Sequence, residues 1–232
     1  MTDAGNALAE LEPEGLAAAD ASWQERKRAD FRMTVLDAVI TCLAEHGYAR
    51  TTSELVAATA RVSRGTMIHR FPTKQDLIVA AIDYAFFRRM ENYLRDIGSL
   101  TDEERINQNL GISVSWKHYF TKEYKAYLEL HVAARTDKEL REIFIPRAKR
   151  YDRIWRREVA RAFPEWAKDK DLLDRSGEFV RATLEGLALN SDIWDNAEHQ
   201  AALLNFVTST LIMIRDKKLE FPRPKKAAKN PA

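Results

Sequence analysis

Thr51-Thr-Ser-Glu-Leu-Val-Ala-Ala-Thr-Ala60-Arg-Val-Ser-Arg-Gly-Thr-Met-Ile-His-Arg70-Phe-Pro-Thr-Lys74 is the stretch that decides the fold. Thr51 and Thr52 open a short helix over Ser53–Ala60, Arg61-Val62 breaks it, and Ser63 opens a second over Arg64–Arg70. Ser and Thr suit these places because a side-chain oxygen there accepts from a backbone N–H that the first helical turn leaves unpaired. Two short capped helices around a sharp break predict a helix-turn-helix. From Arg61 to Lys74 there are four Lys or Arg, one His and no acid, a local positive field suited to phosphate. The partner this implies is double-stranded DNA.

Outward from this stretch the chain reads as all-α. Its 232 residues contain only eight glycines, and β-branched alternation is nearly absent. A helix is predicted from about Trp23 or Arg26 to His46, ending at Gly47, with Val35, Val39, Cys42 and Leu43 at helical spacing. Pro72 breaks the chain again and Thr73 caps a helix to about Arg95. This helix begins at Lys74 beside the basic stretch and carries Phe86, Phe87, Met90 and Tyr93 farther on, which makes it the natural mechanical link. Further helices are predicted over about 102–119, 122–135, 137–162, 169–193 and 197–216. Capping-box patterns at Thr101–Glu104 and Thr136–Glu139 mark two starts, and Pro146 is expected to kink or split the helix that contains it.

The segment around the basic stretch resembles the TetR family of bacterial transcriptional regulators. The resemblance covers roughly residues 31–80. Its carriers are Gly47, Tyr48, Thr51, Thr52, Val56, Ala57, Ala60, Val62, Ser63, Gly65, Thr66, Phe71 and Lys74, with Val35-Leu36, Ala38-Val39 and Leu43-Ala44 upstream. Three positions depart from the family pattern: Arg61 stands where glycine is usual, Ile68 where tyrosine is usual, and Arg70 where histidine is usual. Ile68 has no hydrogen bond to donate, whereas Arg70 offers a charge-assisted one.

Composition sets the bounds. With 45% hydrophobic and 31% charged residues the chain is that of a globular protein. The net charge of +2 hides an uneven distribution. The head, residues 1–22, is acidic without Lys or Arg, the tail, residues 219–232, is basic, and both are expected to be disordered. Between them the expected domains are a DNA-binding domain at 23–75 and an effector-binding and dimerisation domain at 76–218. The chain opens on neither the basic region nor the apolar run of a signal peptide, and the longest uncharged run, His199–Ile214, is too short and polar to span a membrane. The expected location is the cytoplasm. Cys42, the only cysteine, reads as a packed core thiol.

Residue roles follow from helix geometry. The first turns of a recognition helix reach base edges, which selects Arg64, Gly65, Thr66 and His69 as base readers. Arg64 leads them, because a guanidinium pairs with guanine O6 and N7. Thr52, Ser63, Arg70 and Lys74 are assigned to phosphate, the first two at helix N-termini where free N–H groups favour an anion. The cluster Arg26, Lys27, Arg28 and Arg32 suits either DNA backbone or a solvated face. In the central helices Trp116, Tyr119, Tyr127, His131 and Trp155 are candidates to line an apolar pocket with polar handles, although aromatics at helical spacing are more often plain core. Val180, Leu184, Leu187, Val207 and Leu211 mark the last two helices as apolar on more than one side, so these residues or their neighbours are expected at a homodimer interface, as the resemblance implies.

No phosphate loop, dinucleotide-binding glycine motif, His-Glu-x-x-His pair or Glu-x-x-His pair occurs. No catalytic residue, metal or cofactor is therefore expected. The expected function is a ligand-responsive repressor on a palindromic operator, released by a small apolar or aromatic effector. The alternatives are a constitutive DNA-binding protein and an all-helical enzyme.

Overall fold

The computed structural model describes residues 4–16, 20–107, 111–194 and 196–219, and every regular element among them is helical. In chain order these are α1 (Ala4–Leu11), α2 (Trp23–Arg50), α3 (Ser53–Ala60), α4 (Arg64–Arg70), α5 (Lys74–Gly98), α6 (Asp102–Asn107), α7 (Ile112–His118), α8 (Lys122–Ala133), α9 (Lys138–Ala162), α10 (Pro164–Ala167), α11 (Lys170–Leu189), α12 (Ser191–Trp194) and α13 (Ala197–Arg215). The fold is all-α, with an N-terminal helix-turn-helix followed by a larger helical part.

The helix ends explain themselves locally. Ser22 opens α2 with a reciprocal capping box to Glu25, a signal the sequence reading passed over. Gly47, at φ 76° and ψ 169°, breaks α2 one turn before its end, as expected. At Arg61 the chain turns in the left-handed region, φ 54°, where a residue other than glycine costs roughly 1 kcal/mol. The predicted helix over 102–119 is two helices, because Gly111 turns at φ 70° ahead of α7. Thr101 and Glu104 form the expected reciprocal bonds at α6. At α9 the cap is Asp137, which accepts from Leu140 N at 2.9 Å, in place of a Thr136 box. The helix then runs unbroken through Pro146. The predicted 169–193 helix divides into α11 and the short α12 at Asn190, whose side-chain amide donates to Gly186 O at 2.7 Å.

Packing forms two compact units, one within Met1–Ala167 and one within Lys168–Ala232, so the packing boundary does not fall at 75/76. The reason lies in α2, which packs on α8 as well as on α3 and α5. Tyr48 Oη donates to Asp137 Oδ2 at 3.3 Å, and Lys122 meets Asp37 at 3.3 Å, tying both ends of that contact. Val35, Leu36, Val39, Ile40 and Leu43 of α2 are fully buried, each contributing about 1.5–3 kcal/mol by removal from water.

The head departs from expectation. Within residues 1–22, α1 packs on α5 and α9 with Ala7 and Leu11 buried. Glu10 pairs with Arg157 at 2.7 Å, and Arg150 donates to the Glu10 carbonyl. One of its acids, Glu10, is thus the partner of a basic residue of α9, which composition alone cannot reveal. The expected basic tail lies outside the described residues beyond Leu219.

In the second unit α11 packs on α13. Val180, Leu184, Leu187, Val207 and Leu211 are all buried within the single chain, so they are core residues. The apolar side chains left at the surface are their neighbours Phe179, Leu189, Ile193, Phe206 and Met213.

Candidate functional site

Met67 and Phe71 anchor α4, at 1% and 4% exposure, and thereby turn its remaining residues outward. Arg64, Gly65, Thr66, His69 and Arg70 are all exposed, and Ile68 is half-buried. Ser63 Oγ accepts from Thr66 N at 3.0 Å and stands 2.7 Å from the Thr66 hydroxyl, so capping and a phosphate-facing N-terminus coexist. Thr52 caps α3 in the same way, accepting from Leu55 N at 3.2 Å. Arg64 pairs with Glu54 of α3 at 2.8 Å. The Glu54 carboxyl is held below its usual range by a hydrogen bond to its own backbone and by the Arg64 charge.

A Cβ at Gly65 would meet nothing within 4 Å, so no neighbour in the chain requires glycine. Packing within the chain does not account for it, and the same open space lies above Gly98, Gly177 and Gly186.

The phosphate candidates at the other end of the motif are braced by rings. Lys74 Nζ lies 4.7 Å from the Tyr48 ring centroid and 3.5 Å from the Tyr48 carbonyl. Arg70 lies 5.2 Å from the Phe31 ring. Such cation–π contacts position a charge without neutralising it. Of the basic cluster on α2, Lys27 covers the exposed Trp23 ring at 5.1 Å, while Arg32 turns inward over Phe71 at 4.9 Å. Arg32 and Arg70 line an open recess of about 710 Å³ shared with Glu14, Asp83 and Phe86. None of the five expected ligand residues lines it.

Those five come together elsewhere, in a continuous ring cluster among α5, α7, α8 and α9. Trp116 meets Tyr119 (6.5 Å between centroids), Tyr119 meets Tyr124 (4.6 Å), and Tyr124 meets Tyr127 (5.7 Å). Tyr127 contacts Phe86, Phe144 and His131, with its hydroxyl 3.4 Å from His131 Nδ1. Phe86 stacks on Tyr151 and Tyr151 on Trp155, while Trp155 meets Tyr93 at 4.0 Å with the rings tilted. Trp116, Tyr119, Tyr127, His131 and Trp155 each keep partial accessibility inside this cluster.

The residue that sequence reasoning missed is Arg89. Its guanidinium lies 4.3 Å from the Tyr127 ring, 5.0 Å from Tyr124 and 5.1 Å from Tyr151. The signal was there: position 89 is three residues after Phe86 and four before Tyr93, on the same helical face. Nearby, His118 Nε2 stands 2.9 Å from Asp96 Oδ2 but off the axis of a hydrogen bond. Burial lowers the His118 pKa against the opposing pull of Asp96, and the charges of Lys117, Arg89 and Arg95 lower it further.

An all-helical chain that presents a basic, glycine-bearing second helix of a helix-turn-helix is built as a DNA-binding protein. Residues 35–81 match the family described as bacterial regulatory proteins, tetR family. The likeness to the TetR family is thus shown over this segment, and the all-helical fold agrees with it. It is 30% identical over 108 residues to the HTH-type transcriptional regulator CymR of Pseudomonas putida, a match covering 47% of this chain and 53% of that one. The chain thus spans about half the length of this relative. Among solved structures, a TetR transcription regulator from Haloarcula marismortui shares the fold at 20% identity and TM-score 0.58, over 82% of this chain and 98% of that one. The multidrug binding protein EbrR, solved in complex with imidazole, aligns at 21% identity and TM-score 0.51, over 84% and 96%.

Proposed function

We propose that the chain is a one-component transcriptional repressor that binds a palindromic DNA operator as a homodimer and is released by a small apolar or aromatic effector. The observation that carries the DNA half is the outer face of α4: Arg64, Gly65, Thr66 and His69 are exposed there, which suits base reading, and Thr52, Ser63, Arg70 and Lys74 are exposed around them, which suits phosphate. Residues 23–75 then form the DNA-binding part and 76–218 the part for effector and dimerisation. The apolar residues left uncovered on α11 and α13, Phe179, Phe206 and Met213, are where a second copy would lie, and Gly177 and Gly186 leave open space on α11. Two copies related by a two-fold axis set the separation of two half-sites.

The effector half rests on the accessible ring cluster, and it is supported by a neighbour of the same fold, EbrR, being a multidrug binding protein. A ligand there would bear on α5, which starts at Lys74 beside the DNA face and carries Phe86, Arg89 and Tyr93 into the cluster. Ligand and operator that prefer different states weaken each other by the same factor. Among the described residues no helix is long and apolar enough to cross a membrane, and the proposed location is the cytoplasm.

The test is selection of binding sites from random duplexes followed by anisotropy titration at several salt concentrations. The expected result is an enriched inverted repeat with affinity falling linearly in log salt. Absence of any enriched sequence overturns the reading.

A further inference from the structure

Arg89 is half-buried; burial opposes its charge, and the nearby Tyr151, Tyr127, Tyr124 and Tyr119 favour it. A guanidinium stays charged at every physiological pH, and a charge taken from water is costly unless a counter-charge meets it. Arg88 and Arg95 on the same helix have carboxylates, Glu91 and Asp96. For Arg89 no carboxylate stands within ion-pair distance among the described residues, and what contacts it is ring faces. Ring faces hold a guanidinium by its plane and leave the N–H edge, the part that forks onto a carboxylate, uncommitted. None of its nitrogens is among the sealed, unbonded polar atoms of the structure, so the edge keeps accessible surface.

The same helix carries a second unpaired donor. Tyr93, one turn along α5, is 1% exposed and its hydroxyl is buried without a hydrogen-bond partner. Burial drives its pKa far up, with Tyr151 and Glu158 adding to the rise, so the hydroxyl keeps its proton and can donate. Tyr93 lies on Trp155 and Arg89 on Tyr151, and these two rings stack on each other. A buried polar group left unpaired signals a missing partner.

We propose that the effector is an organic anion, a carboxylate carried on a small apolar body, with Arg89 as its counter-charge. This rests on the reading of the ring cluster as the effector site. The apolar body lies against Trp155, Tyr127 and His131, and the carboxylate supplies the acceptor that the protein lacks. The same arrangement selects against cations, because the tyrosine cage that would hold one is already filled by the guanidinium.

The experiment titrates the full-length protein with benzoate and octanoate, and in parallel with benzamide and benzyltrimethylammonium, following tryptophan fluorescence and melting temperature. Wild type is expected to bind a carboxylate probe and to be indifferent to the ammonium. Arg89→Met is expected to lose roughly tenfold to a hundredfold in affinity for that carboxylate while keeping its benzamide response, as loss of a charged hydrogen bond implies. Its melting temperature without ligand should be unchanged or higher, since a half-buried charge without a counter-charge has been removed. A merely structural Arg89 would instead lower it. Benzoate against octanoate separates aromatic from aliphatic bodies. Equal binding of benzoate and benzamide by wild type, or an unchanged carboxylate affinity in Arg89→Met, overturns the proposal. Binding that persists in Trp155→Ala, or no response to any probe, overturns the effector-site reading itself.

Discussion

Without DNA, the leading base-reading candidate is already engaged: the Arg64 guanidinium of α4 meets the Glu54 carboxylate of α3 at 2.8 Å, and both side chains are more than half exposed. The pair joins the first turns of the two helices of the motif. An exposed pair of this kind is weak and easily exchanged for a stronger partner such as guanine. Glu54 also repels phosphate, so on the proposed reading a wrong sequence releases Arg64 without the reward of a base contact.

Arg64→Ala should therefore cost roughly 1–3 kcal/mol on the operator and relax preference at one base pair, whereas Lys74→Ala should weaken all sequences alike and flatten the salt dependence. Glu54→Ala should raise affinity for random DNA more than for operator. Anisotropy titrations of operator and random duplexes at two salt concentrations separate these patterns. Equal loss on both DNAs for Arg64→Ala would remove it from the base-reading set.

Gly65→Ala separates stability from function. The space above Gly65 is open in the free protein, and alanine is preferred to glycine within a helix by about 0.5–1 kcal/mol. The variant should melt at the same or a higher temperature, yet bind operator less well, because on the proposed reading its methyl group meets the duplex. A variant that binds operator like wild type would show that the glycine serves neither packing nor DNA.

Two substitutions on α13 distinguish core from interface. Leu211 is fully buried in the single chain, so Leu211→Glu should bury an unpaired carboxylate and unfold the second unit. Phe206 is 70% exposed, so Phe206→Glu should leave helicity by circular dichroism intact and shift sedimentation from dimer to monomer. Wild type that sediments as a monomer at micromolar concentration removes the basis for paired half-sites.

His118 gives the stability a pH dependence of fixed sign. Burial lowers its pKa below the ordinary 6.5, so the unfolded chain binds the proton more readily. Its contribution is complete above pH 6.5 and is lost as the pH falls through the lower, folded value. Thermal melts from about pH 7.5 down to about pH 5 should fall more steeply for wild type than for His118→Gln. Parallel curves would assign the acid sensitivity to other groups.

What the sequence made legible was local. Thr52, Ser63 and Thr73 announce helix starts because a cap is a contact over three residues, and Gly47 announces a helix end because its positive φ admits few alternatives. Periodicity marked Val180, Leu184, Leu187, Val207 and Leu211 as residues to be buried, but spacing does not say what covers them; the covering turned out to lie within the chain. Glu10 of the head found its use only against Arg157 through its carboxylate and Arg150, 140 residues away, through its carbonyl. Arg89 escaped notice for a like reason: an arginine between Phe86 and Tyr93 reads as a surface charge until tyrosines of α8 and α9 close around it. The ring cluster was partly visible as a concentration of aromatics, while its connectivity required the helices to be in place.

Cys42 carries a practical consequence. It is 1% exposed, its Sγ lies 3.4 Å from Thr59 Oγ1, and burial pushes its pKa up, so it is a poor nucleophile. As the chain has no other cysteine, a thiol introduced on the surface would be the sole target of a thiol-reactive spectroscopic label. Labels on the exposed side of α4 could then report the distance between recognition helices in solution, with the native residue left in place.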